Sequence, residues 1–349
     1  MPELATSEFD GTHRLTFSRF SIMAITVSNL TKLYGEEKAI DDISFEVKSG
    51  EILGFLGPNG AGKTTTMKII TCYMPPSSGS VTVDNLNISD HSLAVRKKIG
   101  YLPELNPLYL DMNVVEYLDY AAHLHGMEKS RINHQLKEMI EVCGLHDVRH
   151  KDIGELSKGF RQRVGLAQAM IHDPDVLILD EPTSGLDPNQ IIEIRNLIRH
   201  LGRAKTVILS THILPEVQAT CDRVVIINEG KIVADGTPNQ LQQDFQGSEL
   251  LTIELKASSS NPMEDLFPKI KSHHEVLSAE YQPIGNEMHR FTVKLNQGND
   301  IREKIFRQAV AEGWVILEMH RRVTSLEEVF HKLTMTPADD DGEKSPSVN

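Results

Sequence analysis

Long apolar stretches are missing from this 349-residue chain. Its longest apolar runs, such as Val224-Val225-Ile226-Ile227, are strand-sized and fall far short of the roughly 18 residues that a bilayer crossing needs. The polypeptide is therefore not expected to span a membrane by itself. Cysteine is scarce too: Cys72, Cys143 and Cys221 lie far apart with no C-x-x-C spacing, which argues for a reducing compartment and against a disulfide framework or a zinc ribbon. The fifteen histidines show no metal-ligand spacing supported by cysteine or acid clusters. Basic charge is in deficit, 36 Lys and Arg against 49 Asp and Glu, and the resulting net charge of −13 repels nucleic acid and anionic lipid. No nucleic-acid partner is expected. Aromatic residues make up only 5%, with one tryptophan, yet 40% hydrophobic and 24% charged residues are ordinary for a chain that buries a sizeable core.

The first 22 residues lack a continuous apolar segment and are not a secretory signal. Met23 leads into the β-patterned Ala24-Ile25-Thr26-Val27, so the fold is expected to begin there, with residues 1–22 a disordered extension or an artefact of start-site choice. From Ala24 to about Thr237, short β-rich runs alternate with glycine turns and helical patterns, the signature of an α/β domain with a mainly parallel sheet. Glu51–Leu56, Asp175–Leu179 and Lys205–Leu209 are near-continuous apolar segments, as strands buried on both faces require. Ligands bind outside the carboxyl ends of such strands, so Gly57 onward, Asp180-Glu181 and Ser210-Thr211-His212 should converge. About 102–171 reads as a helical insertion, with Asn113 and Glu116 spaced as a capping box. A second, small α+β domain is expected over 247–335. Its elements are Leu250–Leu255 (strand), Met263–Ile270 (helix), Arg290–Leu295 (strand), Ile301–Glu312 (helix), Val315–Met319 (strand) and Ser325–Leu333 (helix). Ser325 and Glu328 form another capping box, and the acidic Asp339-Asp340-Asp341 marks residues 336–349 as a solvated, disordered tail.

The chemistry concentrates in three places. Gly57-Pro58-Asn59-Gly60-Ala61-Gly62-Lys63-Thr64 matches G-x-x-x-x-G-K-[ST] between a buried strand and the helical run that opens at Thr65. Its glycines free the backbone to wrap an anion, the N–H groups and helix start supply positive potential, Lys63 neutralises β/γ-phosphates, and Thr64 offers a hydroxyl to Mg²⁺. Val176-Leu177-Ile178-Leu179-Asp180-Glu181 then delivers two adjacent acids from a strand end. Asp180 suits metal contact, directly or through water, and Glu181, pointing the other way, suits polarising the water that attacks a γ-phosphate. Ser157 is a good N-cap for a helix through Met170, so Ser157 and the N–H of Gly159 can form a second anion site.

Leu156-Ser157-Lys158-Gly159-Phe160-Arg161-Gln162, Ser184-Gly185-Leu186-Asp187 and His212, taken with the motifs above and Tyr34, resemble the nucleotide-binding subunit of an ABC transporter over residues 24 to about 240. The resemblance implies an ABC-type P-loop NTPase domain over 23–245. It also implies ATP and Mg²⁺ as cofactors and ATP hydrolysis that drives a separately encoded transmembrane permease from the cytoplasmic face. Tyr34 matches the aromatic that stacks on adenine, and Gly57 to Thr65 the phosphate loop. Thr64, Glu104 and Asp180 fall at metal-contacting positions, Glu181 at the water-activating acid, and His212 at the switch histidine. Leu156–Gln162 matches the signature loop, whose Ser157 and Gly159 face the γ-phosphate on a second copy, and Asp187 the loop aspartate crossing that interface. A head-to-tail homodimer closed by two ATP molecules follows.

Three positions depart from the family pattern: Lys158 and Phe160 replace a glycine and a glutamine, and Glu104 stands where a glutamine is usual. Leu102-Pro103-Glu104 with Asn106-Pro107-Leu108-Tyr109 also resembles the export branch, including subunits linked to gliding motility. Residues 247–335 resemble the accessory domain of ABC-2-type exporter ATPases, most clearly in Ser325-Leu326-Glu327-Glu328-Val329-Phe330. A soluble ABC-type ATPase of DNA repair or translation is the alternative. It is disfavoured by the acidic charge, by the absence of a second P-loop and by a separation of only 93 positions from Lys63 to Leu156. A regulatory module that never hydrolyses is opposed by Glu181 and His212.

Overall fold

The computed structural model describes residues 23–244, 249–256, 266–285, 288–296, 300–322 and 325–334. The expectations for residues 1–22, for 336–349 and for a boundary at 247 lie outside the described residues. The chain runs β1 (Met23–Tyr34), β2 (Glu37–Lys48), β3 (Ile52–Leu56), α1 (Lys63–Ile70), β4 (Ser78–Val83), β5 (Leu86–Asn87), α2 (Ser92–Lys98) and β6 (Ile99–Leu102). The helical insertion follows as α3 (Val114–Leu124), α4 (Lys129–Val142) and α5 (Lys158–Met170). Then come β7 (Val176–Asp180), α6 (Pro188–Leu201), β8 (Thr206–Thr211), α7 (Leu214–Thr220), β9 (Arg223–Asn228), β10 (Lys231–Gly236) and α8 (Pro238–Asp244). The C-terminal part comprises β11 (Glu249–Lys256), α9 (Leu266–Lys271), β12 (Val276–Gly285), β13 (Met288–Leu295), α10 (Arg302–Glu312), β14 (Val315–Arg322) and α11 (Leu326–Thr334).

A six-stranded sheet of order β10-β9-β3-β8-β7-β6 forms the centre, parallel throughout except for β10 at one edge. The three apolar runs singled out in the sequence are its neighbouring middle strands β3, β8 and β7, and every residue of each is buried. Successive side chains alternate between two cores, as the pleat dictates. Leu53, Phe55, Val176 and Ile178 face α1 and the antiparallel sheet β2-β1-β4-β5. Ile52, Leu56, Leu177 and Leu179 face the helical layer that contains α3, α5, α6 and α7. The Asn113–Glu116 capping box is present at α3, with each side chain bonded to the other's backbone N–H. Met139 is buried, and Met112 and Met127 pack against the same core.

The C-terminal sheet has the order β12-β13-β11-β14 and is wholly antiparallel. With α9 and α10 this is the split βαββαβ arrangement. Sequence reasoning missed β12, whose Val276–Gly285 run is interrupted by Glu280, Gln282 and Pro283 and has no buried residue. A strand exposed at an edge carries too little apolar alternation to be recognised. The helix α11 also behaves unexpectedly. It keeps its Ser325–Glu328 capping box, but Leu326, Val329, Phe330 and Leu333 join the helical-side core of the parallel-sheet domain, and the small sheet keeps a separate core of its own.

Between the two cores, the rings of His125 and His172 stack at 3.8 Å between centroids, 7° from parallel. His172 Nε2 donates to the Ile99 carbonyl at 3.2 Å, while its Nδ1 is buried without a partner. Burial, and then the neighbouring His125, push His172 down from 6.5 to about 4. The unfolded chain therefore binds a proton that the folded chain refuses, and stability falls as pH drops from 6.5 toward 4. His172→Gln should flatten part of that decline in urea melts. Asn113→Ala should cost about 1 kcal/mol, read as a melting point lower by about 2–4 °C.

Candidate functional site

The carboxyl ends of β3, β8 and β7 open together, and the loops that leave them are stitched by backbone bonds. Gly57 N–H donates to the Thr211 carbonyl (3.3 Å), and Glu181 N–H to the Ser210 carbonyl (3.1 Å). The motif glycines have steric reasons. A Cβ on Gly57 would lie 2.3 Å from the Ile227 carbonyl oxygen. One on Gly62 would lie 2.5 Å from that of Ala39, and Gly62 sits at φ +105°. Gly62 N-caps α1, so the loop feeds a helix start whose free N–H groups favour an anion. A cavity of about 260 Å³ lies above it, lined by Asn59, Gly60, Gly62, Lys63, Thr64, Thr65, Glu104, Glu181 and Ala39. Sequence reasoning found all of these except Ala39, which the fold of β2 brings in.

Lys63 and Glu181 are both buried, with Nζ and carboxylate 3.4 Å apart. Lys63 Nζ also donates to the carbonyls of Gly57 (2.8 Å) and Pro58 (3.2 Å). Glu181 holds a left-handed φ of +48°, costly for a residue with a Cβ. That turn sends its carboxylate away from the strand direction and onto the His212 Nδ1, at 2.9 and 3.0 Å. Lysine, glutamate and histidine thus form one chain of contacts.

Asp180 occupies the other side. It is fully buried; the Ser210 hydroxyl donates to its Oδ1, and its Oδ2 has no partner. Burial pushes the Asp180 carboxyl above the usual range, the hydroxyls of Ser210 and Thr64 pull it down, and the carboxylates of Glu104 and Glu181 push it up again. Among the described residues no group of three acids, histidines or cysteines is placed to hold a metal ion; the orphaned Asp180 Oδ2 is a buried carboxylate oxygen left open to a further ligand. A third buried acid, Glu216, accepts from the hydroxyls of Thr183 (2.8 Å) and Thr211 (3.1 Å) and pins together the loops after β7 and β8. Ser210 was expected at the convergence of the strand ends but without a role of its own, and Thr183 and Glu216 were not singled out in the sequence.

Tyr34, Ser157, Gly159 and Asp187 do not line this cavity. Tyr34 is half exposed at the end of β1, its hydroxyl 3.3 Å from the Met74 sulfur and the Lys32 ammonium 5.6 Å from its ring centre. Ser157 and Asp187 N-cap α5 and α6, accepting from Phe160 N–H (3.4 Å) and Gln190 N–H (2.9 Å).

The family model for ABC transporters matches residues 40–184. An ABC transporter ATP-binding protein of Bacillus subtilis, YxlF, is 37% identical over 69% of this chain and 80% of its own. This chain belongs to the ABC transporter ATP-binding proteins. The bacitracin transport ATP-binding protein BcrA of Bacillus licheniformis is 33% identical over 88% of the chain and 96% of its own. A Nod factor export ATP-binding protein I of Rhizobium etli is 31% identical over 92% and 96%. Among solved structures, an ATP-binding subunit of an ABC transporter superposes with a TM-score of 0.58 at 30% identity, covering 64% of this chain and 93% of its own. The post-hydrolysis dimer of the cassette MJ0796 with ADP and Pi gives 0.56 at 25%, covering 61% and 98%. The ABC ATP-binding subunit is an α/β P-loop ATPase, and the site at the ends of β3, β7 and β8 is where such chemistry belongs. Ser210→Ala would leave Asp180 without its hydroxyl bond. The ATPase rate should fall by about tenfold or more with little change in nucleotide affinity, measured by phosphate release beside a fluorescent-nucleotide titration.

Proposed function

We propose that this ATP-binding subunit powers an exporter whose membrane-spanning part is a separate polypeptide, working as a head-to-tail homodimer on the cytoplasmic face. The observation that carries the reading is the chain of contacts from buried Lys63 through buried Glu181 to the exposed His212, which joins a phosphate-loop cation to a carboxylate and a histidine beside one cavity. In this reading the amides of Gly57–Thr65 and Lys63 hold the β- and γ-phosphates, and Tyr34 stacks on the adenine. His212 contacts the γ-phosphate. Glu181 takes a proton from the attacking water as the γ-phosphoryl group leaves ADP, so that inorganic phosphate and ADP are the products.

Thr64, Asp180 and Glu104 would hold Mg²⁺, and the orphaned Asp180 Oδ2 fits that role. The ion neutralises phosphate charge when bound. Ser157, Gly159 and Asp187, absent from the cavity of their own chain, serve the site of a second copy. The named dimer of MJ0796 supports such pairing.

No helix among the described residues is long and apolar enough to cross a membrane. The helical insertion and the Glu104 loop are the surface for the permease. Leu105 is 86% exposed, and Tyr109, Leu110 and Leu124 of the same insertion are exposed too. Export as the direction is supported by the Nod factor export relatives. Glu181→Gln should keep ATP binding while turnover drops by about 100-fold or more, and unchanged hydrolysis in that variant would contradict the role. Lys63→Ala should instead weaken nucleotide binding by about 10–100-fold in a fluorescent-ATP titration.

A further inference from the structure

A second cleft lies at the opposite end of the central sheet. Its volume is about 730 Å³, and it is walled by Asn196, Arg199 and His200 from the last two turns of α6, by Arg203 in the turn that follows, and by Thr220 and Asp222 where α7 passes into β9. Its floor is the start of β3, where Ile52 packs so closely under Gly202 that an added Cβ would lie 2.3 Å from the Ile52 Cδ1. The phosphate loop leaves the other end of the same strand. The two cavities are thus separated by a strand of five residues, about 16 Å, and they share no lining residue.

Charge in this cleft runs against the rest of the chain. Two guanidiniums and an imidazole stand beside one carboxylate in a protein of net charge −13. Arg199, His200 and Arg203 are exposed, and none of their side chains has a hydrogen-bond or ion-pair partner among the described residues. Complementing the negative end of α6 accounts for part of the set, but a helix end amounts to only about half an elementary charge, and Arg203 lies beyond the helix. Asp222 is already engaged, its Oδ2 accepting from the Ile52 N–H at 2.9 Å. Thr220 is not: it is 6% exposed, and its hydroxyl oxygen has no partner. A buried hydroxyl left bare is rare in native proteins and marks a place where a further atom belongs.

We propose that this cleft binds a small soluble phosphate ester that also carries hydroxyl groups, at a site distinct from the ATP cavity. Guanidinium forks match the oxygens of a phosphate, and Arg199 and Arg203 supply two of them. One phosphate dianion balances both charges, whereas a single carboxylate would leave one guanidinium unpaired. Asn196, Thr220 and Asp222 add an amide, a hydroxyl and a carboxylate for the hydroxyls of the ligand. The volume suits a molecule of sugar-phosphate size and is far more than a lone phosphate fills.

The test is calorimetric titration of the full chain with glucose 6-phosphate, in saturating ADP so that the phosphate loop is filled. One equivalent should bind and glucose should not. Arg199→Gln combined with Arg203→Gln should weaken binding by about tenfold or more, while the melting curve and the ADP affinity stay as they were; Lys63→Ala should leave the affinity for glucose 6-phosphate unaltered. Absence of binding to the unaltered chain, or binding that ignores the double arginine substitution, overturns the site. Loss of binding in Lys63→Ala moves the ligand to the ATP cavity and overturns it equally. Vesicles of phosphatidylglycerol that capture the chain through the same arginines, with no heat from glucose 6-phosphate, overturn a soluble ligand in favour of a lipid headgroup.

Discussion

A buried lysine and a buried glutamate 3.4 Å apart are the constraint around which this molecule is arranged. Taking either charge out of water alone would cost several kcal/mol, so each must find opposite charge and hydrogen bonds. The fold supplies them from three directions: carbonyls of the phosphate loop on one side of Lys63, the Glu181 carboxylate on another, and His212 behind the glutamate. The arrangement holds only because β3, β8 and β7 are neighbours that end at the same level, and because Glu181 accepts a left-handed backbone to turn its side chain inward. A triphosphate offers Lys63 a stronger set of oxygens than two peptide carbonyls. In the role proposed for Glu181, binding frees it from the lysine for a water molecule, which would link occupancy of the loop to readiness for hydrolysis.

The same logic of unspent polar groups runs through the rest of the site. Asp180 is buried with one oxygen bonded and one orphaned, and burial raises its carboxyl. Glu216 is buried with two threonine hydroxyls and ties the loops after β7 and β8, so the acids on one loop and the histidine on the other cannot drift apart. Outside the cavity lining, the starts of α5 and α6 are capped by Ser157 and Asp187 of the same chain.

Much of the site was legible because local chain chemistry forces it. The glycines at 57 and 62 tolerate carbonyl oxygens that any side chain would strike, and the apolar runs that end in Asp180-Glu181 and Ser210-Thr211-His212 fix where the acids and the histidine emerge. The capping boxes at Asn113 and Ser325 were equally readable, since both partners lie three residues apart. Tyr34 shows the limit. Its identity is visible in the sequence, but its place outside the cavity depends on how β1 runs past the phosphate loop.

The sequence by itself determined the phosphate loop, the buried strands, the acids at their ends and the caps of the helices, because each depends on residues within a few positions of one another. Only the tertiary structure decided that Ser210 holds Asp180, that Ala39 closes the cavity, and that α11 belongs to the parallel-sheet core. These are contacts between segments far apart in the chain. No periodicity or motif encodes which distant backbone will pass within hydrogen-bond distance; the packing of two cores on the faces of one sheet settles it.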